Sequence, residues 1–161
     1  MTNFYTEVIK KSPNFNSTKI INDINLLEPI TRASVMAIIT DAKSLGHEMI
    51  VYETYRSEAR QQELFKQGAT KLKDVGVHGY GLAADIVKVV KGEPNWDGDF
   101  TFLINLAKKH GLISGNDWGR PGVKHSFVDP DHVQRITIED QEKLFHGLWY
   151  PDEHYNPYIK H

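Results

Sequence analysis

The 161-residue chain has no cysteine. Disulfides and thiolate ligands are thereby excluded, and any bound metal has to be held by imidazole and carboxylate groups. Eight His residues are on hand for that. A dominant charge is lacking too: 19 Lys and Arg stand against 21 Asp and Glu, for a formal charge of −2. Nucleic-acid binding draws on cationic contacts to phosphate, so no nucleic-acid partner is expected. No apolar run approaches the ~20 residues that span a bilayer, so no membrane span is expected either. The opening Met1-Thr2-Asn3-Phe4-Tyr5-Thr6-Glu7 shows no basic stretch followed by an apolar core, and no signal peptide is read there. No repeats, low-complexity runs or linkers are read in the sequence, and no second, wall-binding domain is expected. What remains is 40% hydrophobic and 25% charged, which predicts one domain over residues 1–161 with a buried core.

Periodicity places the elements. Ile20, Ile21, Ile24 and Leu27 recur at helical spacing after Ser17-Thr18. Pro29 suits the first turn of a longer helix whose apolar face is Ile30, Ala33, Ala37, Ile38, Ala42 and Leu45, stopped by Gly46. His47 to Tyr55 reads as a strand, with Arg56 at its end and Ser57 capping a helix over Glu58–Gln67. Leu82–Val90 reads as a strand, Lys91–Gly98 as a loop, and Asp99 as the cap of a helix through His110. Leu112–Phe127 holds no clear element. His132–Ile136 reads as a strand, and Thr137 opens a helix to about His146. The tail, Leu148–Ile159, is rich in aromatics and is expected to pack on the body.

The chemistry gathers around His78-Gly79-Tyr80-Gly81-Leu82-Ala83-Ala84-Asp85. Asp85 lies within a predicted strand among apolar neighbours, where an unpaired carboxylate is costly and calls for a metal, an Arg or a Lys. Asp129-Pro130-Asp131-His132 adds a second His with a carboxylate three positions before it. Two His and one carboxylate with an open position describe a catalytic zinc site, leaving a carboxylate free to move protons. Asp129 and Asp131 compete for that task. On a strand, Asp131 points away from the face of His132, which favours Asp129. His125 competes as a ligand, or lines the cleft and orients a carboxylate.

Four motifs in order, Tyr55-Arg56-Ser57, His78-x6-Asp85, Asn116-Asp117-Trp118 and Asp129-x-x-His132, resemble the zinc D,D-carboxypeptidases and L-alanyl-D-glutamate endopeptidases that cut peptidoglycan peptides, including VanX, VanY and several phage endolysins. The likeness runs from about Ile50 to Gln134. Gly76 departs from the family's Ser before the first His, and Val133 from the frequent Phe after the second. The resemblance implies an α+β fold: a small, mostly antiparallel sheet carrying the zinc site, with helices packed to one side. The motif-bearing core is placed at about 47–136, with a C-terminal helix and tail over 137–161. It further implies one Zn2+ per chain on His78, Asp85 and His132, with Asp129 and Arg56 catalytic. Tyr80, Trp118 and His125 are candidates for contact with a D-amino-acid-containing wall peptide. Such a protein is expected to be made in the cytoplasm and released to the periplasm or wall by a lytic or phage-type route. A metal-bearing binding module of the same fold, or a structural protein with merely paired charges, are the competing readings.

Overall fold

The computed structural model of the protein describes residues 2–69, 76–116 and 129–159. Among the described residues, four α-helices and five strands follow in order: α1 Pro29–Ser44, β1 Met49–Glu53, α2 Glu58–Lys66, β2 Ala83–Val90, β3 Glu93–Asn95, α3 Phe102–Lys109, β4 Ile113–Ser114, β5 His132–Gln134 and α4 Ile138–Phe145. The sheet runs β1-β2-β5-β4, with β3 also on β2, and the pairings are antiparallel. The fold is thus α+β with a small antiparallel sheet.

Side chains alternate across β2, and that alternation sorts core from site. Ala84 and Ile86, with Val133 of β5, join Val35, Ile38 and Ala42 of α1 and Leu103, Leu106 and Ala107 of α3 in the main core. Asp85 faces the other way, opposite His132 in β5 and Glu53 in β1. A smaller cluster of Val77, Leu82, Ala83, Ile136 and Leu144 brings in α4 and the tail aromatics Trp149, Tyr150 and Tyr155. Among the described residues, no helix is long and apolar enough to cross a membrane.

Four expectations need correcting. The loop expected over Lys91–Gly98 contains β3. Lys91 and Gly92 both take positive φ, 53° and 78°, which closes a tight antiparallel turn from β2. Pro94 is tolerated because β3 is an edge strand. The helix expected from Asp99 starts at Phe102, since Asp99 instead accepts from the N–H and hydroxyl of Thr101 in a turn. The periodic Ile20–Leu27 segment forms only a short 3-10 turn, Ile24–Leu26. Its backbone is committed elsewhere: Thr54 donates through its N–H to Ile21 O and through its hydroxyl to Asp23 O. The expected blank over Leu112–Phe127 holds β4 at its start, pairing with β5, while residues 117–127 of that stretch lie outside the described residues.

Arg135, 1% exposed, ties these parts together. It donates to the Glu28 carboxylate at 3.2 Å and to the backbone carbonyls of Asp152 and Tyr155 in the tail. Glu28 in turn caps α1 through the N–H groups of Ile30 and Thr31. Removing one member of a buried pair strands the other charge, so Arg135→Ala is expected to cost about 3–5 kcal/mol. Denaturant unfolding of the metal-free protein measures this, and a loss no larger than the ~1 kcal/mol typical of exposed pairs would contradict the buried-tie account.

Candidate metal centre

Three ligand-type atoms converge on one point. Asp85 Oδ1 lies 3.3 Å from His78 Nε2 and 3.5 Å from His132 Nδ1, and all three residues are buried. Their other polar atoms are already committed. His78 Nδ1 lies 2.8 Å from the Thr54 carbonyl, which can only accept, so the proton sits on Nδ1 and the Nε2 lone pair faces Asp85. His132 Nε2 lies 2.8 Å from Gln134 Oε1. The Gln134 amide is oriented by donating to the Ile136 carbonyl at 2.6 Å and to Gln141 Oε1 at 3.0 Å, so its oxygen faces His132. His132 therefore donates through Nε2 and turns its Nδ1 lone pair inward.

Three lone pairs thus converge, and among the described residues Asp85 Oδ1 is buried without a hydrogen-bond partner. Something positive has to sit there. Without a metal, a proton on His132 would answer that need. Burial opposes charge on His132, but the Asp85 carboxylate, with Asp129, more than offsets it and raises the imidazole pKa above its usual value. Burial likewise opposes ionisation of Asp85, yet the two His groups hold its carboxyl well below the usual range. Two imidazole nitrogens and one carboxylate oxygen suit a divalent metal of the zinc type.

The surroundings fix these ligands. Arg56 donates to Asp85 Oδ2 at 3.2 Å and to Glu53 at 2.7 Å, and a further guanidinium N–H reaches Gln61 Oε1. Glu53 also accepts from Arg60 at 3.1 Å. Burial works against the Arg56 charge, but Asp85 and Glu53 outweigh it and strengthen the cation.

Asp129 and Asp131 both belong to this centre. Oxygens of Asp85, Asp129 and Asp131 lie within 4.8 Å of one another. This corrects the expectation that Asp131 points to the opposite face: β5 begins only at His132, and Asp131 sits in the preceding turn, where strand alternation does not apply. Its Oδ2 accepts from the indole N–H of Trp96 at 3.3 Å. Burial, and then the neighbouring Asp85 and Asp129, push the Asp131 carboxyl up to about 8. Asp129 is placed by Gly115. The Asp129 N–H donates to Gly115 O at 3.0 Å, and the Gly115 N–H donates to His132 O at 2.7 Å. A Cβ at position 115 would lie 2.1 Å from the Asp129 carbonyl oxygen, so only glycine allows this approach.

Comparison with known proteins bears on this arrangement. The Bacillus subtilis peptidoglycan L-alanyl-D-glutamate endopeptidase CwlK is 30% identical over 129 residues, covering 68% of this chain and 74% of its own length. The chain belongs to that family, the VanY-like peptidoglycan peptidases. No protein-family profile matches it. The Serratia marcescens L-Ala D-Glu endopeptidase ChiX shares the fold of this peptidase, with a TM-score of 0.56 and 20% identity over 77% of this chain and 94% of its own. So does the vancomycin-resistance D,D-pentapeptidase VanY of a VanB-type cassette, solved with Zn(II), with a TM-score of 0.51 and 19% identity over 74% and 78%.

Of the residues singled out from the sequence of this VanY-like peptidase, the structure gathers His78, Asp85, His132, Asp129 and Arg56. The Tyr80 ring packs between Tyr5 and Phe145, at centroid distances of 4.7 and 5.7 Å. Asp117, Trp118 and His125 lie outside the described residues. Sequence reasoning passed over Glu53, Gln134 and Trp96. Gln134 had a usable signal, since a polar side chain two positions after His132 shares its face on a strand.

Two outcomes are expected. Gln134→Leu removes the acceptor that sets the His132 tautomer, and zinc affinity measured against a competing chelator should fall about 10–100-fold. The second concerns pH. The folded pKa of His132 lies above its unfolded value of about 6.5. Its proton therefore stabilises the metal-free protein below that pH, and this contribution is lost as pH rises through the folded value. A metal competes with the same proton, so zinc affinity should climb across that range and zinc addition should release protons. Equal affinity at about pH 6 and about pH 8 would refute the proton-for-metal exchange.

Proposed function

We propose that the protein is a zinc-dependent endopeptidase of peptidoglycan peptides, cutting the L-alanyl-D-glutamate bond, with the chain acting as one peptidase unit that binds one Zn2+. The observation that carries this reading is the meeting of three lone pairs at Asp85 Oδ1 beside a separate carboxylate, Asp129. The choice of bond follows the relationship to CwlK. A wall peptide as substrate places the action at the cell wall.

His78, Asp85 and His132 would hold the zinc, which when bound supplies Lewis-acid polarisation of the scissile carbonyl and of the attacking water. Asp129 accepts a proton from that water as its oxygen adds to the carbonyl carbon. It then hands the proton to the departing amine nitrogen, so that the C–N bond breaks to a neutral amine. Asp131 is less suited, because the Trp96 indole already occupies one of its oxygens. Arg56 holds Asp85 in register with the two imidazoles and sets a fixed positive charge beside the position where the carbonyl oxygen gains negative charge.

Asp129→Asn keeps the shape and removes the base. Zinc content is expected to stay near that of the wild type, while turnover of a defined L-Ala-D-Glu muropeptide falls about 10²–10⁴-fold, as followed by mass spectrometry of the products. A zinc-loaded Asp129→Asn protein with full activity would remove Asp129 from the mechanism. A zinc-loaded wild type that cleaves no wall peptide would leave the binding-module reading.

A further inference from the structure

Beside the metal centre, Tyr52, Trp96 and Asp131 form a corner that the mechanism does not use. Its position follows from strand pairing. Lys88 of β2 pairs Met49 on one edge and Asn95 on the other, and Asp85 pairs Glu53 on one edge and His132 on the other. β3 and β5 therefore lie end to end along the same edge of β2. Trp96, directly after β3, meets Asp131, directly before β5, and the indole N–H donates to Asp131 Oδ2 at 3.3 Å. From the opposite edge, β1 carries a register shift between Val51 and Glu53, which makes Tyr52 the bulged residue. Bulges re-aim side chains. The Tyr52 ring stands at 87° to the Trp96 ring, with centroids 4.8 Å apart.

Two rings at right angles, with Asp131 Oδ1 as a hydrogen-bond acceptor and the ionised Asp85 close behind it, present π faces and negative potential to the same space. Such a corner attracts an ammonium group. Among the described residues, no Lys or Arg lies over the Tyr52 or Trp96 ring. Lys88, the cation nearest in the strand pairing, donates to the Asp97 carbonyl and lies over the rings of Phe100 and Phe102. Trp96 is 49% exposed, an unusual state for so large a ring. The corner also touches the reacting centre, since Asp131 lies within 4.8 Å of carboxylate oxygens of Asp129 and Asp85.

We propose that Tyr52, Trp96 and Asp131 form a substrate subsite for a primary ammonium group, borne by a diamino-acid side chain of the peptide close to the cleaved bond. This rests on the peptidase reading above for the identity of the peptide. It makes Trp96 a specificity determinant: the subsite separates peptides with a cationic residue there from those with a neutral isostere.

Two synthetic peptides test it, L-Ala-γ-D-Glu-L-Lys and the same peptide with norleucine in place of Lys. Binding is measured by calorimetry on the zinc-loaded Asp129→Asn protein, and kcat/KM on the zinc-loaded wild type. The Lys peptide should bind about 3- to 30-fold more tightly than the norleucine peptide, the range of a cation on an aromatic face. Adding Trp96→Leu should bring that ratio close to one, whereas Trp96→Phe, which keeps a ring, should retain most of it. Equal binding of the two peptides, binding of neither, or a ratio untouched by Trp96→Leu overturns the subsite. If the preference holds in binding but the wild type hydrolyses neither peptide, the subsite stands and the endopeptidase reading fails.

Discussion

One oxygen governs the arrangement of this protein. Asp85 Oδ1 is buried with no hydrogen-bond partner and faces the lone pairs of two imidazoles whose protons are spent elsewhere. Such a cluster is unfavourable without a positive charge at its centre, and a protein keeps it only if the surroundings leave no escape. Here they do not. The Thr54 carbonyl and the Gln134 amide each take one ring nitrogen, and Arg56 takes the other oxygen of Asp85. The ligands are thus oriented before a metal arrives, so little reorganisation is needed on binding.

Charge at the site is set locally and not by the chain as a whole. The formal charge is only −2, yet Asp85, Asp129 and Asp131 crowd together, with Glu53 beyond them. Arg56 lies among them, held by Glu53 and Asp85 together, and Arg60 pairs with Glu53 as well. Burial, and then the like charges of Asp85 and Asp129, push the Asp131 carboxyl up to about 8. A divalent cation relieves the same crowding. The acidic surplus that draws the metal also suits the cleft to a cationic portion of a peptide.

The edge of β2 organises the cleft. β5 brings His132 opposite Asp85, and β3 continues along the same edge to bring Trp96 against Asp131. The tight turn at Lys91-Gly92 makes this possible, because it returns the chain at once along the strand it has just left. The opposite face of the sheet is sealed by α1 and α3, so the site is built on a rigid floor.

The sequence by itself determined the chemistry available: no thiolate, two His and a carboxylate in strand-like surroundings, and a family order of motifs from about Ile50 to Gln134. It also determined the extent of the long helix from Pro29 and the strand that carries Asp85, because end signals and apolar runs are local properties. That helix nevertheless buries Thr31, Val35, Ile38 and Ala42, while the expected Ala33 and Leu45 are exposed. Tertiary structure alone decided the rest. The side chain of Asp131 turned toward the site because strand β5 begins one residue after it, and that start is set by pairing with β2, which no local signal encodes. Trp96 joined the cleft because a three-residue edge strand, invisible to periodicity, delivered it there. The tautomers of His78 and His132 depend on Thr54 and Gln134 being held at hydrogen-bond distance, and such contacts exist only once the sheet has assembled.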